Sequence, residues 1–227
     1  MLAVKRFWGI FRMKMFLICL ALAAAMCLPA FARAADVALP AAGILNIPAA
    51  GLGYMLVFFH ELGHTAAFWL FGYPAVPTFD FTHGGGYTHA QTQSWFILGC
   101  LWTAAVLLGA RLWQDMQYRA LMWLGGGVVI HGALMLCGGD MIVIGFAGHA
   151  GEVLVAAFCL LRAFLNTTDK ARGAAERWLN MLFGCFVLVY DTIFTAALMF
   201  DDASRDVYAA QKGGHLEGDL DRVARCP

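Results

Sequence analysis

Charged residues are scarce in this chain. Only 13% of its 227 residues are Asp, Glu, Lys or Arg, whereas 61% are hydrophobic, and the mean hydropathy is +0.70. A soluble domain carries about 25% charged residues and about 45–50% apolar ones. The scarcity excludes an ordinary soluble domain and predicts an all-α polytopic protein within a lipid bilayer. The length fits one membrane-embedded domain rather than two soluble ones.

The chain also lacks an excess of either charge and any closely spaced cysteine pair. The counts of 15 Lys and Arg and 15 Asp and Glu balance. No basic stripe interleaved with aromatic residues is present, which argues against a nucleic-acid partner. The cysteines show no CxxC spacing, so we interpret those in apolar runs as small buried hydrophobes, not as a disulfide framework or a zinc knuckle. These are Cys19, Cys27, Cys100, Cys137, Cys159 and Cys185.

Residues 1–34 resemble a bacterial secretory signal peptide. An apolar run from Met15 to Ala25 follows a basic region, and the sequence Ala-Arg-Ala at 32–34 has small residues where signal peptidase requires them. This pattern predicts cleavage after Ala34, and the alternative is an uncleaved anchor helix. It also indicates the bacterial inner (plasma) membrane. The basic residues are Lys5, Arg6, Arg12 and Lys14.

Beyond the signal peptide, hydropathy predicts a membrane-embedded domain over 35–200 and a polar tail over 201–227. A helix needs about 20 apolar residues to cross a bilayer. Five stretches come close, and a polar-aromatic, Gly-rich insertion at 73–93 follows the first of them. The stretches are 50–72, 94–113, 119–139, 147–165 and 178–200.

Two signals for orientation disagree. A signal peptide leaves residue 35 outside the cytoplasm, whereas the most basic loop, 162–177, belongs in the cytoplasm by the positive-inside rule. Counting back from that loop through single crossings puts residue 35 in the cytoplasm as well. One stretch is therefore re-entrant, or the apolar residues 37–59 cross separately.

Three ionisable residues interrupt the first apolar stretch. His60, Glu61 and His64 lie in FFHELGHTAAFWLFG and form an HExxH motif. Positions i and i+4 of a helix share a face, so the two imidazoles can converge on one metal ion. Glu61 is about 100° around the helix from His60, close enough to meet a water bound to that ion.

A zinc ion would explain why these groups lie among apolar residues. A carboxylate in the middle of a bilayer costs about 2.5–3.5 kcal/mol on insertion scales. Zinc would polarise the water and lower its pKa to about 7. Glu61 would then act as general base and afterwards as general acid. The alternative is two helix histidines that bracket a glutamate by chance.

The segment HELGHTAAFWLFGYPAVPTFDFTHGGGYTH resembles the first half of a site-2-protease-like intramembrane zinc metalloprotease. In that family a short, strand-like, Gly-rich segment follows the HExxH helix, and THGGGY at 82–87 matches it. The resemblance implies that this segment holds substrate in extended form beside the metal. Gly84, Gly85 and Gly86 would let another backbone approach closely. The match covers about residues 55–90.

The third zinc ligand is left open by the sequence. The family's usual Asn-Pro…Asp-Gly setting is absent, although catalytic zinc takes three protein ligands and one open position. Asp191 is the first choice, because an Asp within an apolar span is a functional candidate by default. Its structural alternative is a hydrogen bond to Tyr118 or His131. The next ligand candidates are His149 and Glu152, which share a helix face, and Asp140 follows them.

The sequence thus predicts a zinc endopeptidase that hydrolyses peptide bonds of membrane-spanning or membrane-proximal substrates. The alternative is a catalytically inactive membrane scaffold or metal-binding protein that retains the zinc site. The unusual setting of the third ligand favours this alternative. Glu61 argues against it, because pure zinc binding needs no general base at that position.

Overall fold

The computed structural model describes residues 2–34, 42–80, 85–165 and 173–211. Within them the chain is mostly helical, as the hydropathy pattern predicts. One β-hairpin follows the second helix, where the resemblance implies a strand-like segment. The elements in order are α1 Leu2–Ala34, α2 Ala42–Leu70, β1 Ala75–Asp80, β2 Gly85–Ala90, α3 Trp95–Gln114, α4 Tyr118–Leu136, α5 Asp140–Leu165, α6 Gly173–Phe200 and α7 Asp202–Gln211.

Four of the helices in the described part of the chain, α3 to α6, are long and apolar enough to cross a membrane. They correspond to the last four predicted stretches. Two of them begin earlier than predicted, α5 at Asp140 and α6 at Gly173. The extension of α6 adds Gly173, Glu176 and Arg177, which lower hydropathy without breaking a helix. The first predicted stretch lies in α2, which already begins at Ala42 and contains Pro48.

The described chain divides into two compact units. The first contains residues up to Phe59 and those from His149 onward, and therefore α1, α6 and α7. Its core joins one face of α1 to α5 and α6. The buried α1 residues recur at every third or fourth position, the spacing of one helix face. They are Met15, Cys19, Ala23, Met26 and Cys27, packed with Ala163, Met181, Cys185 and Phe186.

Cysteine burial follows the prediction only in this first unit. Cys19, Cys27, Cys159 and Cys185 are buried and free. Cys100 and Cys137 are exposed, so the prediction is wrong for them. They lie in α3 and just after α4, and almost none of the residues of these two helices are fully buried.

The second unit contains residues 60–148 and is centred on the end of α2, the hairpin and the start of α5. α2 ends in a Schellman motif, in which the Tyr73 and Gly72 amides donate to the carbonyls of Phe68 and Trp69. Gly72 has φ +82°, the left-handed conformation that this motif requires. The turn directs the chain into β1. Ala75 there packs with Phe68, Phe71 and other apolar residues of the unit's core.

Alternate residues of the hairpin point toward α2. Its antiparallel register pairs Ala75 with Ala90 and Pro77 with Thr88. Side chains of a strand point alternately to opposite faces. In β2 the side chains of Thr88 and Ala90 are half-buried, whereas those of Tyr87 and His89 are exposed. The inner face of β2 therefore bears Thr88.

A hydrogen bond joins the turn after α2 to the first residue of α5. The Tyr73 hydroxyl donates to the Asp140 carboxylate at 3.0 Å. Burial, together with this hydrogen bond, raises the pKa of Tyr73, so its hydroxyl remains a donor at neutral pH. The buried Asp140 carboxylate thus has the partner that burial of a charge requires.

Candidate metal centre

The two histidines of the HExxH motif converge, as their spacing predicts. The Nε2 atoms of His60 and His64 lie 3.0 Å apart on one face of α2. The rings are nearly perpendicular, with an interplanar angle of 77°. Two nitrogens bound to one tetrahedral zinc at about 2.0–2.1 Å would be about 3.3 Å apart. The pair therefore fits one zinc ion with a small adjustment of the rings.

A backbone carbonyl of α5 orients His64. The Nδ1 atom of His64 lies 2.7 Å from the carbonyl oxygen of Ile144, and both residues are buried. Because a carbonyl only accepts, Nδ1 must carry the proton, which leaves the lone pair on Nε2. Metal-bound histidines commonly use their second nitrogen in this way to fix tautomer and ring orientation. His64 is thus held in the form that binds a metal.

Two glycines allow α5 to approach the motif closely. A Cβ atom at Gly63 would overlap the carbonyl oxygen of Ala147. A Cβ atom at Gly148 would lie 2.5 Å from the Nε2 atoms of both His60 and His64. Both separations are shorter than van der Waals contact. Any side chain at Gly148 would therefore occupy the space beside the two ligand nitrogens.

Glu61 is buried and is bonded to the hairpin. Its side chain is 5% exposed. The Thr88 hydroxyl lies 2.7 Å from Glu61 Oε2 and 3.1 Å from the Glu61 carbonyl oxygen. A buried carboxylate requires such a donor, because loss of its hydration is otherwise uncompensated. The proposed general base therefore points toward the inner face of β2.

Three of the four candidates for the third ligand form one cluster in the first unit, whereas Asp140 accepts a hydrogen bond from Tyr73. His149 Nδ1 lies 2.8 Å from Asp191 Oδ1 and 3.1 Å from Glu152 Oε2. Thr195 also donates to Asp191, at 3.5 Å. Asp191 is therefore partnered by His149. Of the two partners considered from sequence, His131 bonds to the carbonyl of Leu70, and Tyr118 bonds to Met116.

The Gly-rich segment lies only partly within the described residues. Gly84 falls outside them, whereas Gly85 and Gly86 are the first residues of β2. A Cβ atom placed on Gly85 would meet no described atom within 4 Å. Among the described residues, nothing therefore obstructs the close approach of another chain to Gly85, the role that the resemblance implies.

Sequence reasoning missed three residues around the motif, namely Thr88, Ile144 and Gly148. Thr88 is 27 residues from its partner Glu61, and Ile144 is 80 residues from its partner His64. Neither contact has a local signature, because hydroxyl and backbone carbonyl partners leave no spacing pattern. Gly148 stands directly before His149, and only the fold shows that it faces the two imidazoles.

Comparison with known proteins adds no family assignment. No protein-family model, curated protein or solved structure matches this chain. The resemblance over residues 55–90 remains a prediction from sequence. Inference about function depends on the HExxH histidines, the buried Glu61 and the cluster around His149.

Proposed function

We propose that this chain is a membrane-embedded zinc metalloprotease of the site-2-protease-like kind. The observation that carries the proposal is the HExxH pair on α2. Its two Nε2 atoms are 3.0 Å apart, and the Ile144 carbonyl fixes the tautomer of His64. The four apolar helices support a location in the membrane, and the N-terminal pattern supports the bacterial inner membrane.

Zinc held by His60 and His64 would supply Lewis-acid polarisation of water. Glu61 is the residue that moves the proton. Its carboxylate accepts a proton from the attacking water and delivers it to the nitrogen of the leaving amine. The substrate is a membrane-spanning or membrane-proximal peptide. Gly84, Gly85 and Gly86 provide a backbone edge that an extended segment of it can approach.

For the third ligand, the cluster geometry favours His149 over Asp191 and Glu152. The protonated Nδ1 of His149 lies between the carboxylates of Asp191 and Glu152. Carboxylates commonly orient a metal-binding histidine in this manner, which increases its basicity. His149 also follows Gly148 directly in α5. We therefore propose His149 as the ligand, with Asp191 and Glu152 as the carboxylates that orient it.

The test begins with purification of the full chain in detergent and measurement of bound zinc. A panel of single-span substrates is then incubated with wild type and with Glu61→Gln. We expect the variant to retain zinc and to lose cleavage by a factor of about 10²–10⁴, the usual contribution of general acid–base catalysis. His60→Ala should lose the metal. His89→Ala, which alters an exposed histidine on the outer face of β2, should keep it.

The remaining outcomes separate the alternatives. Zinc in the wild type without cleavage of any substrate would favour an inactive scaffold or metal-binding protein. Absence of zinc from the folded wild type would contradict both readings. For the third ligand, His149→Ala should lose zinc, whereas Asp191→Asn should only weaken binding by about 10–100-fold. The reverse order would make Asp191 the ligand.

A further inference from the structure

We propose that Thr88 is a positioning residue that sets the orientation of the Glu61 carboxylate for proton transfer. The inference rests on the proposed function, since it assigns Glu61 the role of general base. Independently of that role, one hydroxyl of the hairpin, on Thr88 of β2, determines where the Glu61 carboxylate of α2 points.

The contact between Thr88 and Glu61 involves both ends of the glutamate. The Thr88 hydroxyl lies 2.7 Å from the carboxylate Oε2 and 3.1 Å from the carbonyl oxygen of the same residue. A hydroxyl has one proton, and the shorter distance assigns it to the carboxylate. Hydrogen bonds to ionised acceptors are the shorter and stronger kind.

Thr65 completes the arrangement on the helix side. Its hydroxyl donates to the Glu61 carbonyl at 2.7 Å, one turn further along α2. It also lies 3.5 Å from the Thr88 hydroxyl. Thr65 thus supplies the proton for the Glu61 carbonyl, so the single proton of Thr88 can be given to the carboxylate.

The fold holds Thr88 at this position from both strands. Thr88 pairs with Pro77, and two residues further on Ala90 pairs with the buried Ala75. The Trp69 indole donates to the Ala75 carbonyl at 2.8 Å and so connects β1 to the last turn of α2. The inner face of the hairpin is therefore fixed on the same helix that carries Glu61.

This bond matters because a glutamate has three rotatable side-chain bonds. Donation to Oε2 selects one rotamer of Glu61 and leaves Oε1 as the second proton acceptor. Displacement of a reacting group by about 1 Å can cost about 100-fold in rate. We therefore expect loss of the Thr88 hydroxyl to lower kcat by about 10–100-fold, while KM and zinc content change little.

The experiment compares Thr88→Val, which keeps the shape and removes the hydroxyl, with Thr88→Ser, which keeps the hydroxyl. Thr78→Val is the matched control, because Thr78 pairs with Tyr87 on the opposite face of the hairpin. Each variant is purified as the full chain, its zinc is measured, and kcat and KM are determined. The substrate is one that the wild type cleaves.

A second readout is independent of cleavage. With ¹³C-labelled glutamate, the infrared carboxylate band of Glu61 is isolated by subtracting the spectrum of the matching Glu61→Gln protein. We expect Thr88→Val to shift this band and lower kcat, Thr88→Ser to restore both, and Thr78→Val to change neither. Equal zinc content in all variants would show that the lower kcat comes from the changed position of the Glu61 carboxylate and not from loss of zinc.

The other results overturn the proposal. An unshifted band in Thr88→Val would show that the hydroxyl does not hold the carboxylate. A shifted band with unchanged kcat, or a Ser variant as slow as the Val variant, would show that the bond does not matter for catalysis. If the wild type cleaves no substrate and Thr88→Val still shifts the carboxylate band, the proposed function fails. The contact between Thr88 and Glu61 is then real but has no catalytic role.

Discussion

Gly148 is the residue at which the metal site can be tested separately from the fold. In Gly148→Ala the new methyl group would lie 2.5 Å from the Nε2 atoms of His60 and His64. Its nearest neighbours would be the ring atoms of these two side chains, so we expect the rings to move. We expect zinc affinity to fall by about 10–100-fold, as when groups around a metal site are disturbed, measured by metal titration of the chelator-treated protein.

The matched control is Gly53→Ala, in the same helix as the histidines. A Cβ atom at Gly53 would meet no described atom within 4 Å, so this variant should bind zinc as the wild type does. Wild-type zinc affinity in Gly148→Ala, with the fold intact by circular dichroism, would contradict the assignment of His60 and His64 as ligands.

Single residues also show what the sequence can and cannot predict about this site. The convergence of His60 and His64 is predicted because both lie on one helix, where spacing alone determines the face. The contacts of Thr88 and Ile144 depend on the path of the chain between elements. The cluster around His149 is predicted only in part. The sequence predicts that His149 and Glu152 share a face, but not that Asp191 completes the group.

At the scale of elements, the packing of α1 bears on the predicted cleavage after Ala34. Cleavage would remove a helix whose Met15, Cys19 and Ala23 are buried against α5 and α6. It would also leave Met181 and Phe186 of α6 without that cover. Burial of this face favours the uncleaved anchor, the alternative that the sequence left open. The cleavage prediction itself needs a test on the purified protein.

Ala23→Leu provides that test. Ala23 is 0% exposed, and insertion of larger side chains into a packed core costs about 1–3 kcal/mol. If α1 remains part of the folded protein, the variant should have a lower melting temperature in detergent than the wild type. Ala24→Leu, at an exposed position one residue further along α1, should not.

The intact mass of the purified protein should then include residues 1–34. A mass that begins at Ala35, with equal melting temperatures for wild type and Ala23→Leu, would establish cleavage. α1 would in that case be absent from the mature fold.

Among the elements, hydropathy predicts the existence of the long apolar helices better than the residues at which they begin and end. Apolar content is a property of the segment itself, so α3 and α4 begin and end within a few residues of the prediction. The start of α5 at Asp140 involves a contact outside the segment, because its carboxylate accepts a hydrogen bond from Tyr73. The resemblance implies a strand-like segment after α2, whereas the pairing of two strands and their register require the fold.

At the scale of the whole molecule, the two basic segments of the sequence bear on orientation. One precedes the apolar run of α1, with Lys5, Arg6, Arg12 and Lys14, and the other is the loop 162–177. We predict that both segments lie in the cytoplasm. Both segments then obey the positive-inside rule together. This topology requires that 50–72 is not one complete crossing, which is the re-entrant alternative that the sequence left open.

We therefore expect the N-terminus and the connection 166–172 to be cytoplasmic, and the tail beyond α7 to be on the opposite side, because α6 is one candidate span. Green fluorescent protein should be fluorescent when joined to the N-terminus or within 166–172. Alkaline phosphatase should be active when joined after residue 227.

A fusion in the turn 115–117 serves as a control. Two candidate spans, α4 and α5, separate that turn from 166–172, so both should report the cytoplasm. Phosphatase activity within 166–172 would contradict this topology and reassign the basic loop to the far side of the membrane.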